Sequence, residues 1–297
     1  MTAMNDPTWP VLDERQCAML TEMGVNVWWP VAGDEASAQP VADAAVAEAP
    51  PAAARPSPVQ PGARAPVPEP VVAREAPAAA PAVKSSVRPV IPLARISDSP
   101  DLATLDDVVR ACQACDLGQR RHHAVPGMGD PHPDWLVVGE APGEEEDRQG
   151  LPFVGRAGQL LDRMLVAMDL SREHKVYIAN VIKCRPPHNR NPDPVEIAQC
   201  LPHLLRQVEL LEPKIVLAMG RFAAHTVLAQ GSEFSPEVLQ QMPLGKLRGR
   251  VHQVQIGERR LPVVVTFHPA YLLRSPTEKG KAWADLCLAM EAYSRLS

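Results

Sequence analysis

"WLVVGEAPGEEEDRQGLPFVGRAGQLLDRML" (residues 135–165) runs from a continuous apolar stretch through an acid-rich loop into a helical pattern. The run at 135–140 reads as a strand buried on both faces. Beyond the loop, Leu160, Leu161, Met164, Leu165 and Met168 recur at helical spacing and make one apolar face. Three more short β-branched runs follow: "KVYIANVIK" (175–183), "KIVLAMG" (214–220) and "LPVVVTFH" (261–268). Helical patterns separate them. In the one at 192–213, Asp193 caps, Pro194 fits the first turn and Glu196 completes a capping box. Pro202 is expected to kink that helix. Strands alternating with helices predict a three-layer α/β/α sandwich with a short, mainly parallel central sheet.

The loop itself poses a chemical question, because Glu140, Glu144, Glu145, Glu146 and Asp147 crowd the approach to a helix N-terminus. Helix N-termini favour anions, so carboxylates there argue against a simple phosphate cradle. Open α/β sheets bind ligands beyond the carboxyl ends of their strands. Polar residues stand at three of those ends: Glu140, Asn180 and His268. Together they predict a site.

The 297-residue chain carries 33 prolines and few aromatic residues, unevenly spread. Residues 36–100 are mostly Ala, Pro and Val with no aromatic residue. Such a stretch buries too little apolar surface to offset its ordering entropy, and is expected to be a disordered linker. Residues 1–35 differ, with a helical pattern from 12 followed by Trp28 and Trp29. They are expected to form a short docking helix with a tryptophan anchor for a replication or repair protein. The folded domain is then 101–297. Its charge is close to balanced, with 24 acids and 23 bases, unlike the strongly basic surface of a general DNA packer. The sequence has no long apolar run and no secretory pattern, so a cytoplasmic monomer without a membrane span is expected.

Of six cysteines, Cys112 and Cys115 form "CQAC" within a helical pattern, and Cys184 and Cys200 lie far downstream. Cys17 and Cys287 read as ordinary thiols. A reducing compartment disfavours disulfides. A redox CxxC normally follows a strand and opens a helix, which this one does not. Spacing leaves a four-cysteine zinc site and an iron–sulfur cluster both open.

"GEAPGEEEDRQGLPFVGRAGQLLD" (139–162), "NVIKCRPPHNRNP" (180–192) and "HPAYLLR" (268–274), in that order and with these four cysteines, resemble family 4 uracil-DNA glycosylases over about 105–297. The resemblance implies excision of uracil from DNA, leaving an abasic site. It also implies a [4Fe–4S] cluster on Cys112, Cys115, Cys184 and Cys200, Phe153 stacking on the flipped base, and His268 donating to uracil O2. Asn180 has the amide donor and acceptor to read N3–H and O4, a pattern cytosine cannot match. The best-known uracil glycosylases carry a catalytic aspartate where this sequence has Ala141. Water positioning is therefore expected to fall to Glu140, with Glu146 walling the pocket against the thymine methyl, Ala141 contacting the substrate, and Glu144, Glu145 and Asp147 solvating the loop.

DNA contacts are expected from Arg185, Asn189, Arg190 and Arg274. The resemblance nominates Leu272 or Leu273 as a wedge into the duplex. Three rivals are a relative that traps uracil-DNA covalently, for which His188 is the available histidine, a non-catalytic iron–sulfur DNA-binding module, and a nucleotide hydrolase on the same sheet, which would want a metal-binding acid pair or a phosphate loop that this sequence lacks.

Overall fold

The computed structural model describes residues 93–296. The expected docking helix at 12–30 lies outside the described residues, as does the linker up to residue 92. Helical structure crosses the expected boundary at 101: α1 (Leu93–Ser97) precedes α2 (Leu102–Ala111) and packs against it. Ile96 is buried, and the Ser99 carbonyl accepts two bonds from the Arg206 guanidinium. These contacts join the segment before 101 to the domain.

Six strands form one sheet: β1 (Met128–Gly129), β2 (Trp135–Gly139), β3 (Val176–Asn180), β4 (Ile215–Met219), β5 (Val251–Ile256) and β6 (Arg259–Thr266). Their spatial order is β1-β3-β2-β4-β6-β5. The four predicted strands, β2, β3, β4 and β6, are the parallel centre, and β1 and β5 pair antiparallel at the two edges. All five residues of β2, β3 and β4 are buried, as strands covered on both faces must be. Alternate side chains feed different cores. Trp135, Val137, Ile178 and Leu217 pack with α5 (Arg156–Ala167) and the C-terminal helix at Lys279–Ser294. Leu136, Val138, Ala179 and Val216 pack with α6 (Pro194–Leu211) and α7 (Arg221–Leu228). The result is the expected α/β/α sandwich.

Between them, α3 (Leu117–Arg120) and α4 (Glu144–Gln149) are short. So are α8 (Pro236–Gln241), α9 (Leu244–Leu247) and α10 (Pro269–Arg274), which precede the C-terminal α11 (Lys279–Ser294). Helix α6 starts at the predicted Asp193–Glu196 capping box and runs unbroken through Pro202. The "CQAC" pair does not lie within a helix. Cys112 caps α2, and Cys115 sits in the turn before α3.

If the segment before 101 belongs to the domain, Ile96→Ala lowers its stability by about 2 kcal/mol, the low end for truncating a buried aliphatic side chain. Denaturant unfolding of the full chain measures this. No change in the midpoint would detach α1 from the fold.

Candidate active site and cysteine cavity

The parallel register sets Gly139 opposite Asn180 at the level where β2 and β3 end. A Cβ on Gly139 would stand 2.4 Å from Asn180 Oδ1 and 2.6 Å from Phe153 Cζ. Only glycine lets the amide and the ring close over the strand end. Asn180 is 2% exposed, its Oδ1 is buried without a hydrogen-bond partner, and its main-chain carbonyl accepts from Lys183 Nζ at 2.8 Å. A buried, unpaired acceptor is costly unless a ligand completes it.

Phe153 takes a left-handed backbone with φ 53°, uncommon for a bulky residue. Its neighbours hold it there. The Arg172 guanidinium donates to the Pro152 carbonyl at 2.8 Å and to the Phe153 carbonyl, while its Nε binds Asp162. Gly158 completes the seat, since a Cβ there would lie 1.6 Å from the Phe153 carbonyl oxygen. The ring stacks on His268, with centroids 5.5 Å apart and planes at 30°.

His268 caps α10, and its Nδ1 accepts from the Ala270 N–H at 3.2 Å. A ring nitrogen that accepts leaves the proton on Nε2, so that tautomer is fixed by the backbone. Burial, with Arg274 adding positive charge, holds the imidazole down at about 4. Near neutrality His268 is therefore an uncharged donor through Nε2.

These groups line a cleft of about 680 Å³ together with Glu140, Ala141, Glu146, Arg221 and Tyr271. The Glu140 carboxylate makes no hydrogen bond with the described residues. Burial raises its pKa, partly offset by the Arg221 charge.

The remaining acids serve the loop. Glu146 Oε2 accepts from Gly143 N–H at 3.0 Å, and Oε1 accepts from Val154 and Gly155 at 2.9 and 3.0 Å. Although it lines the cleft, its oxygens are occupied in bracing the backbone on both sides. Asp147 is buried rather than solvating, and accepts from the His122 and His123 N–H groups. Glu144 pairs with Arg185, and Glu145 with Arg148.

Among the expected DNA contacts, Asn189, Arg190 and Arg274 line the cleft, whereas Arg185 does not, and nor does His188, the histidine of the trapping rival. Arg185 donates to Asn189 Oδ1 at 2.8 Å, and Arg190 grips both oxygens of Glu196. Leu272 is 0% exposed and could reach a duplex only by leaving the core, which corrects its nomination as a wedge. Leu273, on the next turn position, is 37% exposed.

The four cysteines Cys112, Cys115, Cys184 and Cys200 line a second, small cavity with Arg121, Lys183 and His203. Among the described residues, no three His, Cys, Asp or Glu side chains are grouped to hold a single metal ion. Arg121 Nη1 donates to Cys184 Sγ at 2.9 Å, and the Lys183 N–H donates to Cys200 Sγ at 3.2 Å. Burial pushes these thiols up, to about 11 for Cys184 and about 12 for Cys200. Both ring nitrogens of buried His203 lack partners, an orphaned donor where cluster sulfur would supply an acceptor.

A family model for the uracil DNA glycosylase superfamily matches residues 126–287. The type-4 uracil-DNA glycosylase of Archaeoglobus fulgidus is 40% identical over 187 residues, which cover 62% of this chain and 90% of that protein. The type-4 uracil-DNA glycosylase of Thermotoga maritima is 42% identical over 167 residues, 56% of this chain and 80% of that protein. The chain belongs to the type-4 uracil-DNA glycosylases. A type-5 uracil-DNA glycosylase of Thermus thermophilus is more distant, 35% identical over 119 residues, 35% of this chain and 54% of that protein.

Within this type-4 chain, Arg172 is the residue that motif reading missed, since it lies outside all three quoted motifs. Its fork serves two carbonyls at once, so Arg172→Lys should not restore what Arg172→Ala loses. Both variants should lower unfolding free energy by about 1–3 kcal/mol, the cost of unsatisfied buried acceptors. A lysine variant of wild-type stability would refute the clasp.

Proposed function

We propose that the 680 Å³ cleft is where this type-4 uracil-DNA glycosylase holds a flipped uracil and hydrolyses its N-glycosidic bond, leaving an abasic site. The observation that carries the reading is the neutral His268, whose Nε2–H is left to donate because Ala270 occupies Nδ1. Cleavage sends the bonding electrons into the uracil ring, and negative charge grows on O2. A preorganised neutral donor meets that charge as it develops. Phe153 stacks on the base beside the His268 ring. Asn180 Oδ1 accepts N3–H while its amide donates to O4, which selects uracil over cytosine.

As the base departs, the sugar becomes cationic. Glu140 at the end of β2 is the carboxylate placed to favour that cation and to orient the attacking water, since Ala141 offers no acid. Glu146 acts at one remove: it braces Gly143, Val154 and Gly155, and so fixes the loop that ends in Phe153. Leu273 is the wedge that fills the space of the extruded base. Asn189 and Arg274 face the strand as neutral and positive donors, as phosphate contacts require.

We assign a [4Fe–4S] cluster to Cys112, Cys115, Cys184 and Cys200. When bound it supplies structural cross-linking, because no step of uracil hydrolysis needs an electron. The covalent trapping alternative gains no support from His188, which is exposed and outside the cleft lining.

The direct test incubates the full chain with an oligonucleotide holding one uracil, then applies alkali. Strand breakage at uracil supports the reading; a covalent adduct or an intact strand overturns it. In the same assay His268→Ala should lower kcat by roughly 100- to 1,000-fold, the usual cost of one donor to a developing anion.

The pH dependence follows from two shifts of opposite sign. Glu140 works ionised and its pKa is raised above 4.5, so it protonates first as pH falls. His268 works neutral and gains its proton only near 4. Removing Glu140's titration with Glu140→Gln should move the acid limb of kcat/KM downward, to about 4. A limb near 6.5 in that variant would mean that His268 is not held neutral.

Cys184→Ser should remove the broad visible absorbance of the purified protein and its stoichiometric iron. Retention of both would displace Cys184 from the ligand set.

A further inference from the structure

The cleft is much larger than one pyrimidine, and its volume falls in the range of pockets that enclose drug-sized ligands. Glu140, Phe153, Asn180 and His268 account for the uracil. The other lining residues include Leu244, Phe267, Tyr271, Arg221 and Arg274, which the reaction does not use as a base pocket. Their chemistry is distinct: two aromatic rings, an aliphatic side chain and two cations.

Tyr271 stacks on Phe267, with centroids 5.0 Å apart and planes at 30°, and still keeps 37% of its surface exposed. Phe267 is itself fixed, with the Arg248 guanidinium 3.9 Å from its ring centroid. Arg248 in turn binds buried Asp285 at 2.7 Å and the Lys281 carbonyl at 2.7 Å. An exposed tyrosine ordinarily keeps rotamer freedom that stacking a ligand would cost. Here the ring is already held in a column anchored in the core, so it meets a partner at little entropic cost. Arg221 and Arg274 have no carboxylate within ion-pairing distance among the described residues. Arg190, which also lines the cleft, is committed to Glu196.

We propose that Tyr271 is the platform of a second nucleobase subsite, which stacks the base adjacent to the flipped uracil while Arg221 and Arg274 hold the phosphates that flank it. Aromatic stacking is tolerant of base identity, because every base presents a π-face. A base resting on Tyr271 must itself leave the helical stack. Two successive nucleotides splayed from a duplex cost more than one, and an unpaired strand avoids that cost. The subsite therefore makes the enzyme favour uracil in single strands. The proposal rests on the glycosylase reading of the same cleft.

The test is a cycle between protein and substrate, run with the full chain. Single-stranded oligonucleotides carry one uracil whose 5′ or 3′ neighbour is either a normal base or an abasic spacer. Removing the neighbour on one side should lower wild-type kcat/KM roughly tenfold, in line with the worth of stacking one base. Tyr271→Ala should lose a similar factor on the normal substrate and become indifferent to the spacer, whereas Tyr271→Trp keeps the wild-type pattern. The preference for single over double strands should shrink in Tyr271→Ala alone. As a readout independent of cleavage, a 2-aminopurine beside the uracil should be quenched on binding by wild type and by Tyr271→Trp, but not by Tyr271→Ala.

If the spacer and Tyr271→Ala penalties multiply, or if neither has an effect, the subsite is wrong while the glycosylase stands. A wild type that leaves uracil in place but quenches the neighbour through Tyr271 would sink the glycosylase reading and keep the subsite.

Discussion

The site depends on how closely two parallel strands can end together. Gly139 and Asn180 are register partners at the last rung of β2 and β3, and no atom larger than hydrogen fits between the Gly139 Cα, the Asn180 amide and the Phe153 ring. The residues that line the cleft are positioned from that rung. The chain leaves β2 to place Glu140, returns through the acid loop to seat Phe153, and leaves β6 to place His268 against the Phe153 ring. A parallel sheet brings the carboxyl ends of its strands to one side, so residues distant in sequence meet there.

The acid loop shows how a cluster of like charges is tolerated. Five carboxylates in nine positions would repel if all faced the same solvent. Glu146 and Asp147 instead turn inward and take five backbone N–H groups between them. Charge-assisted bonds to backbone donors are among the stronger hydrogen bonds a fold can make. They stiffen a loop that must carry a phenylalanine in a strained conformation. Arg172 works from the other side on the carbonyls of the same turn. The carboxylates and the guanidinium thus divide the labour, one holding N–H groups and the other holding C=O groups.

Much of this was legible in sequence because the central strands are buried on both faces, and such strands announce themselves as unbroken apolar runs. The edge strands were not recognised. β1 is two residues long, too short to carry a pattern, whereas β5 does alternate buried and exposed positions. The capping box at Asp193 was readable because it is local. Asp147 was misjudged because its donors lie 24–25 residues away, beyond any local rule, whereas Glu146 lines the cleft as expected and its bond to Gly143 is a local capping box. Two adjacent leucines could not be told apart by composition. The register of α10 buries Leu272 and exposes Leu273.

The cysteine cavity and Asn180 are mechanically close, although neither motif says so. Lys183 joins them: its N–H reaches Cys200 Sγ, and its Nζ donates to the Asn180 carbonyl and to Gln207 Oε1 at 2.6 Å. Gln207 in turn donates to the Pro126 carbonyl. A lysine held this deeply needs acceptors around it, and burial lowers its pKa to about 8 even with the cysteine and Asp106 charges nearby. Such a group is held in place by its surroundings. A change in the spacing of the sulfurs would therefore be felt at the Asn180 backbone, three residues along the chain.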